Sequence, residues 1–154
     1  MSNDRITRLQ AELKTRQIDC LALIPGFNMR YVTGLEFHLM ERAVILFIPA
    51  EGKPVFALPS LEQAKVEGAS GLDARSFAYA DGQDASVAVA GAVGALPEVH
   101  TLAVEYLRMR VHELRLIQAR LPNAQLTIYP DSGHGGVFQH HRAFVPAVLD
   151  FLAD

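Results

Sequence analysis

Residues 131–141, DSGHGGVFQHH, gather three of the chain's six histidines beside a run of glycines. An imidazole in such a setting offers a general base, a metal ligand or part of a phosphate cradle, and each of these needs companions. A base at His134 needs a nucleophile within hydrogen-bond reach and a third group to orient the ring. The candidate nucleophiles are Ser132, Ser60 and Cys20, but Ser132 is only two residues away on the same loop, and the sequence has no G-x-S-x-G turn. A zinc site drawn from Asp131, His134, His140 and His141 lacks workable spacing, because adjacent histidines diverge on a helix. The GHGG run has no Lys, Ser or Thr after it to complete a phosphate site. Upstream, His100 precedes a strand and His112 faces away from its neighbour Glu113 on a helix, so neither builds a ligand set. His134 is therefore expected to be an orphan, with no catalytic residue, metal or cofactor in the chain.

The elements that would position such residues can be read from periodicity. Asn3 or Asp4 can cap a first helix whose Ile6, Leu9 and Leu13 share one face, ending before Ile18. CLALI follows as a buried strand, broken by Pro25 and Gly26, with a short turn or helix over 28–33. AVILFIPAEGKPVFAL reads as a hairpin. Ser60 and Gln63 have the form of a capping box opening a helix that ends near Gly68. ARSFAYA is a strand. Residues 84–96 carry a weak helical stripe of Val87, Ala90, Val93 and Ala95 closed by Pro97, and TLAVE is another strand. Val111, Leu114, Ile117 and Leu121 mark a helix face that Pro122 ends. QLTIY reads as a last strand before the histidine loop, and Phe144, Val148, Phe151 and Leu152 mark a final amphipathic helix. Strands alternating with helices predict an α/β three-layer domain: a mixed, mostly parallel central sheet containing one hairpin, with helices on both faces.

The 154 residues, half of them apolar, suffice for one sizeable core, so a single domain over 1–154 is expected. A net charge of −3 with acids and bases interspersed leaves no footprint for nucleic acid or an anionic membrane. The lone Cys20 heads an apolar run, which excludes an internal disulfide, predicts a buried neutral thiol and suits a cytoplasmic location. The polar opening MSNDRITRLQ has no secretory pattern, and no apolar run reaches membrane-spanning length.

The stretch Asn28, Tyr31, Thr33, Gly34, then Arg42 entering a strand, Gly52 and Pro54 in the hairpin turn and Pro59 at its end resembles the amino-terminal domain of the creatinase, prolidase and aminopeptidase P family. RLQAELKTRQIDCLALI fits that family's opening helix and strand, and LAVEYLRMRVHEL fits a later strand-to-helix segment, so the resemblance covers about residues 4–120. Physically, Asn28 suits an Asx-type turn or cap, Gly34 a positive φ, and Tyr31 an apolar ring with a polar tip. These would hold a loop, LEFHLMER (35–42), at the sheet's edge. The resemblance implies that this domain pairs with another subunit and that such loops approach the partner's catalytic cleft and limit substrate size. His38 and Arg42 would then meet a peptide carboxylate, with Glu41 beside them. The local alternative pairs Arg42 with Glu41 or Glu36 and leaves His38 solvated.

The family's chemistry resides in a second domain, where two Asp, one His and two Glu bind a pair of metal ions, and this set is absent from the sequence. The expected role is thus non-catalytic: subunit association, through an apolar patch of Phe37, Leu39 and Met40, and shaping of substrate access. The expected partner is a second copy or a catalytic peptidase domain, with no nucleic acid and no membrane. Residues 121–154 resemble the last strand, histidine loop and helix of an α/β-hydrolase. That resemblance implies a fusion, natural or engineered, near 119–125. It leaves as alternatives a small serine-type hydrolase using His134, or an engineered chimera with no native function.

Overall fold

The computed structural model describes residues 2–105 and 107–121; the histidine loop, QLTIY and the final amphipathic segment lie outside these. The chain runs α1 (Ser2–Thr15), β1 (Cys20–Leu23), α2 (Phe27–Thr33), β2 (Ile45–Pro49), β3 (Val55–Pro59), α3 (Ser60–Glu67), β4 (Arg75–Tyr79), α4 (Ser86–Gly94), β5 (Leu102–Val104) and α5 (Val111–Gln118). The five strands form one sheet in the order β4-β3-β2-β1-β5. The hairpin is present, with Phe47 opposite Val55 across β2 and β3. The sheet is mixed as expected, but its pairings divide evenly: β1–β2 and β2–β3 are antiparallel, β1–β5 and β3–β4 parallel. The parallel share falls short of "mostly" because the hairpin's first strand joins β1 head to tail.

Alternation along the central strands assigns each side chain to a face. Cys20, Ala22, Ile45, Phe47, Val55 and Ala57 enter one core cluster, whereas Leu23, Leu46, Ile48, Phe56 and Leu58 enter the other. Both faces are covered, so these strands are apolar throughout instead of alternating with polar residues. The first face packs under Ala85, Ala88, Val89 and Ala92 of the α4 region and Ile117 of α5. The second packs under Ile6 and Leu13 of α1, Met29 and Val32 of α2 and Val66 of α3.

Helix ends explain the connections. α1 closes in a Schellman arrangement: Ile18 N–H donates to Leu13 O, Gln17 N–H donates to Lys14 O, and Gln17 takes the left-handed φ of 56° that the motif requires. Ile18 then packs on the second core, so the turn delivers the chain directly into β1. At α3 the expected capping box does not form. Ser60 Oγ donates to Tyr79 O at 3.0 Å and Gln63 bonds Glu67, leaving Pro59 as a cap without a side-chain bond. A tertiary acceptor has outcompeted the local one.

Two helices bury faces only partly as expected: Val93 and Ala95 of the α4 stripe and Ile117 and Leu121 of the α5 stripe pack on the first core, but the fully buried positions are shifted. In α4 the stripe is Ala85, Ala88, Val89 and Ala92, and Val87 is 60% exposed. In α5, Glu113 and Ile117 are buried while Val111 faces solvent. The α4 register follows from close approach: a Cβ built on Gly91 would lie 2.5 Å from Cδ1 of Phe77 on β4. Only glycine lets the helix settle against that ring. Gly91→Val is expected to lower stability by about 1–3 kcal/mol through overpacking. Gly94→Ala, at the end of the same helix where an added Cβ meets nothing within 4 Å, should raise stability by up to ~1 kcal/mol. Urea midpoints of the two variants should move in opposite directions; a shared sign would contradict this packing account.

Candidate functional site

The segment 35–44 has no helix or strand and must be held by bonds to its neighbours. Its entry is set at the end of α2. Gly34 adopts φ 76°, and its N–H donates to Arg30 O at 2.8 Å. The buried Thr33 hydroxyl donates to Met29 O at 2.7 Å and accepts Leu35 N–H at 3.0 Å. The positive φ expected at Gly34 is therefore present, and Thr33 acts as an internal brace.

Phe37 is not part of an exposed patch. It is 7% exposed and enters the second core, its ring 5.9 Å from that of Phe56. Its neighbours Glu36 and His38 are polar, which hides this in the sequence. Lys65 of α3 lies over the same ring, with Nζ 4.8 Å from the centroid, and donates to Glu36 O at 3.0 Å. Further along, Arg110 Nη1 donates to Met40 O at 2.6 Å and Tyr79 OH donates to Ala43 O at 3.1 Å. Burial pushes the Tyr79 phenol above its ordinary pKa, so the hydroxyl keeps the proton that this bond needs.

What remains outward on the moored loop is His38, Leu39, Met40, at 57% exposure, and Glu41. Arg42 is half-buried and pairs with Asp81, Nη2 to Oδ1 3.2 Å, while its Nε lies 4.0 Å from Glu41. Glu36, the other expected partner, pairs instead with Arg30 at 3.3 Å.

Asn28 and Tyr31 sit elsewhere, on the lip of a groove of about 470 Å³ floored by Leu9, Leu21, Leu23 and Val32. Asn28 does not cap a turn. Its Nδ2 donates to Glu105 Oε1 at 2.6 Å, tying the start of α2 to the end of β5. Tyr31 carries the Arg5 guanidinium 4.4 Å above its ring, and Arg5 also donates to the Tyr31 carbonyl. The expected site residues thus divide between a loop (His38, Glu41, Arg42), its braced entry (Thr33, Gly34) and a separate groove (Asn28, Tyr31).

Residues that the sequence reading missed do the holding: Lys65, Tyr79, Glu105, Arg110 and Glu113. Glu113 is fully buried, yet both its oxygens receive Arg110 Nε at 3.0 Å and a further contact comes from Nη2. An Arg and a Glu three apart at a helix start was the available signal, masked by the assumption that a charged residue faces water.

The hydrolase alternative gains nothing from the described residues. Ser60 is bonded to Tyr79 O, and Cys20 is fully buried with its thiol pushed up to about 12, mainly by burial and also by the nearby Asp19 charge. Ser132 and His134, and the zinc candidates Asp131, His140 and His141, lie outside the described residues. Among the described residues, no group of three or more His, Cys, Asp or Glu could hold a metal ion.

The amino-terminal domain of an X-Pro dipeptidase from Streptococcus pyogenes superposes with a TM-score of 0.67 at 20% identity, covering 78% of this chain and 89% of that one. Dipeptidase PepE from Mycobacterium ulcerans superposes with a TM-score of 0.65 at 26% identity, covering 90% of this chain and 36% of that one. The probable dipeptidase PepE of Mycobacterium bovis is 34% identical over 79 residues, 50% of this chain. The match spans only 21% of that relative's length. The model of the creatinase/prolidase N-terminal domain matches residues 5–130, a stretch that runs through the expected 119–125 junction and takes in QLTIY. With most of its length so matched, the chain belongs to the creatinase/prolidase N-terminal domain family.

Proposed function

We propose that this chain serves as the association and access-shaping domain of a Xaa-Pro-dipeptidase-type assembly and does not itself hydrolyse peptides. Its partner is a second copy or a catalytic peptidase domain. The observation that carries the reading is the loop 35–42: bonded at Leu35, Glu36 and Met40 and anchored by Phe37, it still turns Leu39, Met40, His38 and Glu41 outward. A floppy surface loop would gain nothing from four such anchors; a loop that must present fixed groups to another surface does. Arg42 uses Nη2 on Asp81, and its remaining donors and the His38 ring are the groups that would meet a peptide carboxylate at the partner's cleft. No helix among the described residues is long and apolar enough to cross a membrane. A cytoplasmic setting is part of the proposal and fits a lone, buried cysteine.

Size-exclusion chromatography with light scattering should give a dimer at high protein concentration, and paired Leu39→Asp and Met40→Asp changes should weaken it about tenfold or more. Xaa-Pro dipeptides with added manganese or cobalt should show no turnover. A strict monomer would remove the self-association role, and metal-dependent release of proline would overturn the non-catalytic one.

A further inference from the structure

Glu113 is 0% exposed in α5, one turn before Ile117, which enters the first core. A buried carboxylate is costly, and an apolar pair of similar volume would pack there at no desolvation cost. The ion pair therefore supplies something that packing alone does not. Arg110, at the cap position of α5, directs Nε and Nη2 at Glu113 and leaves Nη1 aimed at Met40 O, 70 residues away in sequence. Because the guanidinium is planar, fixing two of its nitrogens on one carboxylate fixes the direction of the third. Across the same turn, Tyr79 holds Ala43 O. The turn 40–43 is thus bracketed from β4 and from α5.

We infer that Arg110, oriented by Glu113, is a positioning residue that sets how the Leu39–Met40 tip projects. This deepens the association reading and rests on it for its purpose, though the mooring itself is testable without any partner.

The test is backbone ¹⁵N relaxation on the whole chain, with thermal unfolding in parallel. Arg110→Lys keeps a charge on Glu113 but cannot fork to Met40 O at the same time. The double variant Arg110→Met with Glu113→Leu removes the clamp and the buried charge together, and guards against a single variant that fails to fold. In both, the order parameters of His38 to Arg42 should fall from about 0.85 to below about 0.6. Amides of β2 and β3 should keep their values, and the double variant should unfold at or above the parent temperature. Unchanged loop order in either folded variant overturns the inference. So does a loss of order spread evenly through the sheet, which is what a merely structural pair would give. If the loop loosens while light scattering still shows an undiminished dimer, the clamp stands and the docking role of the loop tip falls.

Discussion

Phe56→Ala should cost about 3–5 kcal/mol of folding stability, seen as a large drop in urea midpoint at unchanged slope. Phe56 is fully buried on β3, faces Leu46 across the hairpin and enters the cluster formed by α1, α2 and the second face of the sheet. β-Sheet backbone cannot collapse to fill the void, so both the transfer loss and the cavity are felt. For a domain whose whole stability is of the order of 5–15 kcal/mol, that is a large share. A second consequence separates this site from any other core position. The Phe37 ring, 5.9 Å away, loses its partner, and with it the loop loses support for its most buried hydrophobic anchor, Leu35 being only partly buried. Phe56→Leu keeps most of the volume and should cost under ~1.5 kcal/mol. A loss below about 1 kcal/mol for the alanine variant would show that Phe37 and its neighbours refill the space, and that the loop is not anchored as described.

The strands were legible because a sheet covered on both faces leaves one pattern, short apolar runs bounded by Pro, Gly and charged turns. CLALI, the hairpin and ARSFAYA all fall where that pattern puts them. Gly34 was legible for a similar reason: a helix ending at a glycine has few other geometries. The failures share a different cause. In α4 nearly every residue is small and apolar, so periodicity carries no direction, and the packing of Gly91 on Phe77 chooses the face. In α5 the buried position belongs to Glu113 because Arg110 is there to meet it. Asn28 and Ser60 have locally plausible capping roles but find partners 77 and 19 residues away in Glu105 and Tyr79. Local hydrogen bonding offers a net gain of only ~1 kcal/mol, so a tertiary acceptor that the fold brings within reach can take the group. The loop's sequence identified where a site could be, while its mooring depended on side chains from α2, β3, α3, β4 and the cap of α5.

Cys20 provides the second large effect, an alkaline loss of stability that one substitution should remove. The thiol heads β1, an interior strand paired on both sides, with no exposed surface. Burial first, and then the Asp19 charge, raise it from its ordinary 9.0 to about 12. Between those values the unfolded chain has released a proton that the folded chain still holds. Stability therefore falls as pH rises, by about 1.4 kcal/mol for each unit above 9 and approaching ~4 kcal/mol near 12, and is unaffected below 9. Lys and Tyr also titrate in this range, so the quantity to follow is the difference between the parent chain and Cys20→Ala in urea unfolding at each pH. The substitution removes a sulfur from the core at a pH-independent cost, so the parent should start more stable and lose that advantage steadily from pH 9 upward. The same burial makes the native thiol inert: a disulfide reagent at pH 8 should label it only as fast as the sheet opens, with urea accelerating the reaction. A difference that stays flat to pH 11, or prompt labelling of the folded chain, would mean that β1 is not enclosed between two helical layers, and the three-layer architecture that carries the loop would have to be redrawn.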